Sequence, residues 1–271
     1  MHPQKKQEKR MNPKTIPIYN PGSAPDFAPS YGQPEPYLTP FLLTGAGNIC
    51  VMVCPGGGYI ARCESYEGTE ICEWLNRIGI SAFMLSYRVA PYRQPVPQND
   101  LSDAIRLIRA NSSEYGIDPH RIGVLGFSAG GHLAASVLTH PERFERPDFG
   151  ILCYAVISMS SDITHEGTRQ ALLGERAGDE ALRDYYSAEK NVTDQTPPCF
   201  VWHTRTDEMV PYQNAVRFAE AMKKAGRSCE LHLYPEGRHG LGLAQNTPGA
   251  CEWPACCKNW IFNIGKEEPS T

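Results

Sequence analysis

The chain has no run of roughly eighteen apolar residues, so no stretch is long enough to span a bilayer as a helix. It has no Gly-x-Gly-x-x-Gly, and its one glycine run, Gly56-Gly57-Gly58, lacks the lysine of a P-loop. Nucleotide binding therefore has little to stand on. None of its ten cysteines forms a Cys-x-x-Cys pair. The densest group (Cys251, Cys256 and Cys257) has no histidine at zinc spacing, so no metal site is expected. Several cysteines lie in apolar runs, where a free thiol behaves as a small hydrophobe. Reduced, buried cysteines fit a reducing compartment. There is no basic stripe either. The 26 Lys and Arg face 30 Asp and Glu and are scattered beyond the first ten residues, which leaves no footprint for nucleic acid. Met1 to Arg10 is polar and charged and has no apolar core of the secretory kind; Met11 is an alternative start with no better signal after it. The expectation is a cytoplasmic protein with no membrane or nucleic-acid partner and no cofactor.

What is present is enough for one core. With 271 residues, 41% hydrophobic and 21% charged, the chain suits one α/β domain. Residues 1–45 are rich in Pro, Gly and Tyr and read as an arm, or a strand pair, packed on the core. Residues 46–265 alternate strand and helix patterns; 266–271 is a tail. Strands are expected at 48–54, 81–87, 121–125, 151–159, 198–203 and 230–234. Helices are expected at 67–78, 99–115, 132–138, around 179–186, 211–224 and 253–264. This alternation implies a mainly parallel sheet covered on both faces, with ligands beyond the strands' carboxyl ends.

Gly126-Phe127-Ser128-Ala129-Gly130-Gly131 falls between one such strand and its helix. That is the setting of a nucleophile elbow, where a strained turn lifts a serine hydroxyl above the sheet. A serine needs a base, and the base needs an orienting acid. In this order along the chain, Asp207 follows the strand ending at His203, and His239 follows the last strand in a glycine-rich loop. Glu208 rivals Asp207. His132, His165, His203 and His232 rival His239; His132 and His232 read as packing or surface residues, and His203 as shaping the site. An attacked carbonyl also needs oxyanion donors. The amide of Ala129 is one, and in Cys54-Pro55-Gly56-Gly57-Gly58-Tyr59, just after an early strand, three glycines leave bare amides that can supply others.

Together these segments resemble the α/β-hydrolase superfamily over about residues 45–265. They are nearer to the hormone-sensitive-lipase-like esterases, through the glycine loop and Ser86-Tyr87-Arg88-Val89-Ala90-Pro91, with Pro97, Asp100 and Asp103-Ala104 beyond it. Pro55 replaces the usual oxyanion-loop histidine, and Ser86 stands where aspartate is usual. Little sequence precedes the first strands to build a helical cap, which implies an open site. Pro55-Gly56-Gly57-Gly58-Tyr59, Trp202-His203-Thr204 and the segment 160–168 resemble a bacterial acetyl esterase or acetylxylan esterase-like subgroup. By that resemblance Ser128, Asp207 and His239 form the triad, and Gly57, Gly58 and Ala129 the oxyanion hole.

The resemblance implies a serine carboxylesterase acting on short acyl esters, above all acetyl groups on xylo- or manno-oligosaccharides. Tyr59, Tyr66, Tyr87, Tyr92, Trp202 and His165 are candidate substrate contacts. A feruloyl-type esterase is the alternative reaction. A peptidase is the weaker reading, with no propeller-sized second domain in view. An inactive hydrolase fold used as a small-molecule binder is the alternative of another class, and thiol chemistry at Cys54 a third reading. A homo-oligomer through an edge strand or the arm stays open.

Overall fold

The central strands carry near-continuous apolar runs, at 49–54, 82–85 and 149–153, which marks strands buried on both faces. The computed structural model describes residues 15–160 and 162–264. The charged N-terminal segment, Met11, Ser161 and the tail 266–271 lie outside the described residues. The strands are β1 (Ile16–Pro17), β2 (Tyr37–Phe41), β3 (Asn48–Cys54), β4 (Ser81–Ser86), β5 (Ile117–Phe127), β6 (Phe149–Cys153), β7 (Cys199–Thr204) and β8 (Cys229–Tyr234). They form one sheet in the order β1-β2-β4-β3-β5-β6-β7-β8. β2 runs antiparallel to β1 and β4, and every other pairing is parallel.

The helices are α1 (Glu70–Arg77), α2 (Val96–Ala110), α3 (Ser128–Thr139), α4 (Glu166–Leu173), α5 (Glu180–Tyr185), α6 (Gln213–Lys224) and α7 (Trp253–Asn263). Alternate residues of β3 divide between two cores. Cys50, Met52 and Cys54 pack with α2, α3, α4 and α6; Ile49, Val51 and Val53 pack with α1 and α7. α6 shows why: Ala215, Phe218 and Met222 recur at helical spacing and are buried, while Lys223 and Lys224 close its last turn. Burying each large aliphatic side chain contributes about 1.5–3 kcal/mol. Among the described residues no helix is long and apolar enough to cross a membrane.

Three local expectations need correction. The strand expected over 151–159 stops at Cys153. Residues 155–159 are buried but irregular, because other partners replace the ladder. Ser128 O accepts from the Val156 amide, Asn214 Oδ1 from Ile157 and Ser158, and Ser187 Oγ from Met159. The helix expected from Glu67 begins with a wider turn over Ser65–Thr69, before α1. α4 lies outside the expected helices, because its N-cap is His165, whose Nδ1 accepts from the Thr168 amide at 3.2 Å, rather than the usual hydroxyl or carboxylate.

Candidate active site

Ser128 sits between β5 and α3 with φ of +51°, a strained value for a residue with a side chain. Two glycines make this turn possible. A Cβ at Gly126 would fall 2.2 Å from Gly130 O, and one at Gly130 would fall 2.2 Å from Cys54 O. Strand, turn and the glycine loop after β3 are therefore in backbone contact.

The Ser128 hydroxyl lies 2.8 Å from His239 Nε2, and His239 Nδ1 lies 2.7 Å from Asp207 Oδ2. The pattern is an Nδ1–H donating to Asp207 and a bare Nε2 accepting from Ser128. Asp207 Oδ1 accepts the amides of Met209 and Val210, each at 2.9 Å. His203 Nε2 lies 3.2 Å from Asp207 Oδ2 and donates to Val210 O at 2.9 Å. Burial alone would raise the Asp207 carboxyl, but hydrogen bonds from His203, His239 and the Val210 amide hold it well below the ordinary carboxylate range. The acid is thus kept ionised and aimed. Glu208, its rival, is exposed.

The other histidines are placed elsewhere. His132 is buried, donates from Nε2 to Tyr186 O at 2.7 Å and accepts the Tyr59 hydroxyl on Nδ1 at 3.0 Å. His232 pairs with Glu230 on β8. His165 caps α4; burial first, then the nearness of His239, lowers its pKa.

The loop after β3 is clamped from two sides. The Tyr87 hydroxyl donates to Pro55 O at 2.7 Å, and the Gly56 amide donates to Glu67 Oε2 at 2.9 Å. The Gly56 amide is thereby engaged inside the protein. Gly57 and Gly58 have φ of +132° and +65°, and a Cβ on Gly57 would lie 2.2 Å from Ala61 O. Their amides, with that of Ala129 at the unpaired start of α3, bond to no acceptor in the described residues.

Glu67 is not singled out by the sequence, where nothing local separates it from a surface acid. It is 2% exposed. Its Oε1 accepts the Tyr154 hydroxyl at 2.7 Å, and that hydroxyl accepts the Gly242 amide at 2.9 Å. The Tyr154 ring meets the His239 ring edge-on at 5.1 Å. Glu67 therefore links the loop of Gly56 to the loop of His239. Burial raises its pKa, while Tyr154, the Gly56 amide and His239 pull the other way.

Three candidate substrate contacts are corrected by burial. Tyr59, Tyr87 and Trp202 are 1%, 0% and 0% exposed and present no free ring face. The Tyr59 hydroxyl is held by His132 and that of Tyr87 by Pro55 O; Trp202 packs against Tyr154 and stacks on Trp253 at 5.2 Å. Tyr92 is also buried, with its hydroxyl on Ala28. Tyr66 alone of the five rings is exposed. The thiol reading is corrected too: Cys54 is buried, and burial pushes its thiol far from the thiolate form. Among the described residues no three His, Cys, Asp or Glu side chains are gathered as a metal would need.

A mainly parallel sheet, a strained serine after a central strand, and an Asp and a His after later strands define an α/β hydrolase. Within that class, residues 87–261 match the prolyl oligopeptidase family, and the chain belongs to it. A crystal structure of an acetyl ester-xyloside bifunctional hydrolase from Caldicellulosiruptor lactoaceticus is 46% identical. That match covers 93% of this chain and 96% of that one, with a TM-score of 0.88. Endo-1,4-beta-xylanase B of Butyrivibrio fibrisolvens is 40% identical over 73% of this chain and 33% of that protein. An acetylxylan esterase of Xylanibacter ruminicola is 34% identical over 75% of this chain and 43% of that protein. The chain spans less than half the length of these last two relatives.

Proposed function

We propose that this chain is a serine carboxylesterase that removes short acyl groups, above all acetyl, from xylo-oligosaccharides. The observation that carries the reading is the hydrogen-bonded line Ser128–His239–Asp207 beside three unengaged amides. The acetyl-sugar part rests on the likeness to the acetyl ester-xyloside hydrolase.

In the proposed reaction His239 Nε2 takes the Ser128 proton as Oγ attacks the ester carbonyl. Asp207 steadies the imidazolium that forms. The amides of Gly57, Gly58 and Ala129 hold the oxyanion. His239 then returns the proton to the leaving sugar oxygen as the C–O bond breaks. Water, deprotonated by the same nitrogen, attacks the acyl-enzyme and releases acetate and Ser128. The ten cysteines, none of them disulfide-bonded, favour a reducing compartment, and we infer the cytoplasm.

The test is hydrolysis of para-nitrophenyl acetate, butyrate, octanoate and a ferulate ester by wild type and Ser128→Ala, with acetate release from acetylated xylo-oligosaccharide. We expect acetate to be the best acyl group, sugar-bound acetate to be released, and Ser128→Ala to cost roughly 10⁴-fold or more. Preference for ferulate would turn the reading to the feruloyl alternative. No turnover of any ester would turn it to a binder. An aryl xyloside belongs in the panel, and xyloside cleavage surviving Ser128→Ala would require a second set of groups.

A further inference from the structure

Five large apolar side chains stand strongly exposed among the described residues: Tyr31, Leu42, Ile60, Tyr66 and Met209. Isolated exposed hydrophobes need no explanation, but their placement here is uneven. Ile60 and Tyr66 follow β3, Met209 follows β7, and Tyr31 shares a groove with Ile60 and Val89. These four lie at the carboxyl ends of the parallel strands, where Ser128 opens. Leu42 lies at the other end, beside the start of β4, where the Leu43 amide meets the Ser81 hydroxyl.

Tyr66 has the most direct relation to the chemistry. It precedes Glu67, and its hydroxyl lies 3.4 Å from where a Cβ on Gly240 would stand, one residue from His239. It forms one wall of a groove of about 390 Å³, lined further by Glu70, Arg238 and a segment in which polar Gln245, Asn246 and Thr247 follow apolar Leu241, Leu243 and Ala244. The walls are fixed before any ligand arrives. Gly242, buried against Tyr66, donates to Tyr154 and accepts from Trp253 Nε1 at 3.1 Å. Arg238 donates to His239 O and Gly240 O. Leu243 and Ala244 are buried, so the surface the groove offers is largely polar beside the Tyr66 ring, which does not suit an alkyl chain that wants apolar walls throughout. It suits a neutral polyhydroxylated ring, which can lay its C–H face on tyrosine and hydrogen-bond to amides, carboxylate and guanidinium. Tyrosine offers that face at little entropic cost.

The reaction geometry says which half of the ester belongs there. The leaving oxygen must receive its proton from His239 Nε2, so the alcohol half lies toward the loop that carries His239. The carbonyl oxygen lies toward Gly57, Gly58 and Ala129. The groove is walled by the His239 loop, and so it lies on the alcohol side.

We propose that the groove between Tyr66 and residues 241–247 is a glycosyl subsite that holds the sugar from which the acyl group leaves. This rests on the esterase reading above. The test measures kcat/KM for para-nitrophenyl acetate and for acetylated xylo-oligosaccharide in wild type, Tyr66→Ala, Tyr66→Phe and Leu42→Ala. Their ratio is the readout, because damage to the catalytic centre lowers both values together. Tyr66→Ala should lower the sugar-to-aryl ratio about tenfold through KM, a loss of about 1.4 kcal/mol. Tyr66→Phe keeps the ring face and should retain most of the ratio; Leu42→Ala should leave it unchanged. An unaltered ratio in Tyr66→Ala would overturn the subsite, as would an equal drop in Leu42→Ala. Wild type that cleaves the aryl ester but not the sugar ester would instead sink the sugar reading, and the subsite with it.

Discussion

Below Ser128 the aromatic rings are closed in, and around its mouth they stand in solvent. Tyr59, Tyr87, Tyr154 and Trp202 are at most 1% exposed, whereas Tyr31 and Tyr66 are 46% and 39% exposed. In the floor each of three tyrosine hydroxyls is held by a defined partner, Tyr87 by Pro55, Tyr59 by His132 and Tyr154 by Glu67. The rings fill the core while their hydroxyls tie down the segments around Ser128 and His239. At the rim the same residue type is left partly in solvent. One residue type thus fixes backbone geometry where it is buried and is left to meet solvent, or on our proposal a sugar, where it is exposed.

The comparison makes the floor sensitive and the rim selective, and the floor can be broken first. Asp207→Asn keeps the shape but offers a donor where His239 Nδ1–H needs an acceptor. We expect kcat for para-nitrophenyl acetate to fall roughly 10³- to 10⁴-fold with little loss of folding. A fall of less than tenfold would mean that Asp207 does not orient His239.

His132 gives a pH test of the floor. Burial pushes its pKa down from the usual 6.5 to about 4. Between these values the unfolded chain takes up a proton that the folded chain refuses. The contribution is therefore whole above about pH 6.5 and is lost as pH falls toward about 4, on the order of 3 kcal/mol in all. Urea titrations at pH 7, 5.5 and 4 should show this slope, and His132→Gln should flatten it. Equal slopes in both proteins would remove His132 as the cause.

Glu67 sharpens the comparison further. Both its oxygens receive donors, from Gly56 and Tyr154, and glutamine can satisfy only one of them. Glu67→Gln should lower kcat roughly tenfold with KM nearly unchanged, since it loosens the oxyanion loop without touching the rim. A change confined to KM would place Glu67 with the rim instead. The Tyr66→Ala effect proposed above is of similar size but is expected only when the alcohol is a sugar.

The sequence by itself determined the alternation of strands and helices, the elbow at Ser128, and the positions of Asp207 and His239 just after strands. These are short-range matters: a glycine is needed where backbones touch at 2.2 Å, and an apolar run marks a doubly covered strand. Tertiary structure alone decided which tyrosines face water, that Gly56 is taken by Glu67, and that 155–159 is held by Asn214, Ser187 and Ser128 rather than by a neighbouring strand. Each of those depends on partners distant in the chain, 87 residues apart for Glu67 and Tyr154. A buried acid and an exposed one look alike in sequence, because burial belongs to the packing of elements and not to any one of them.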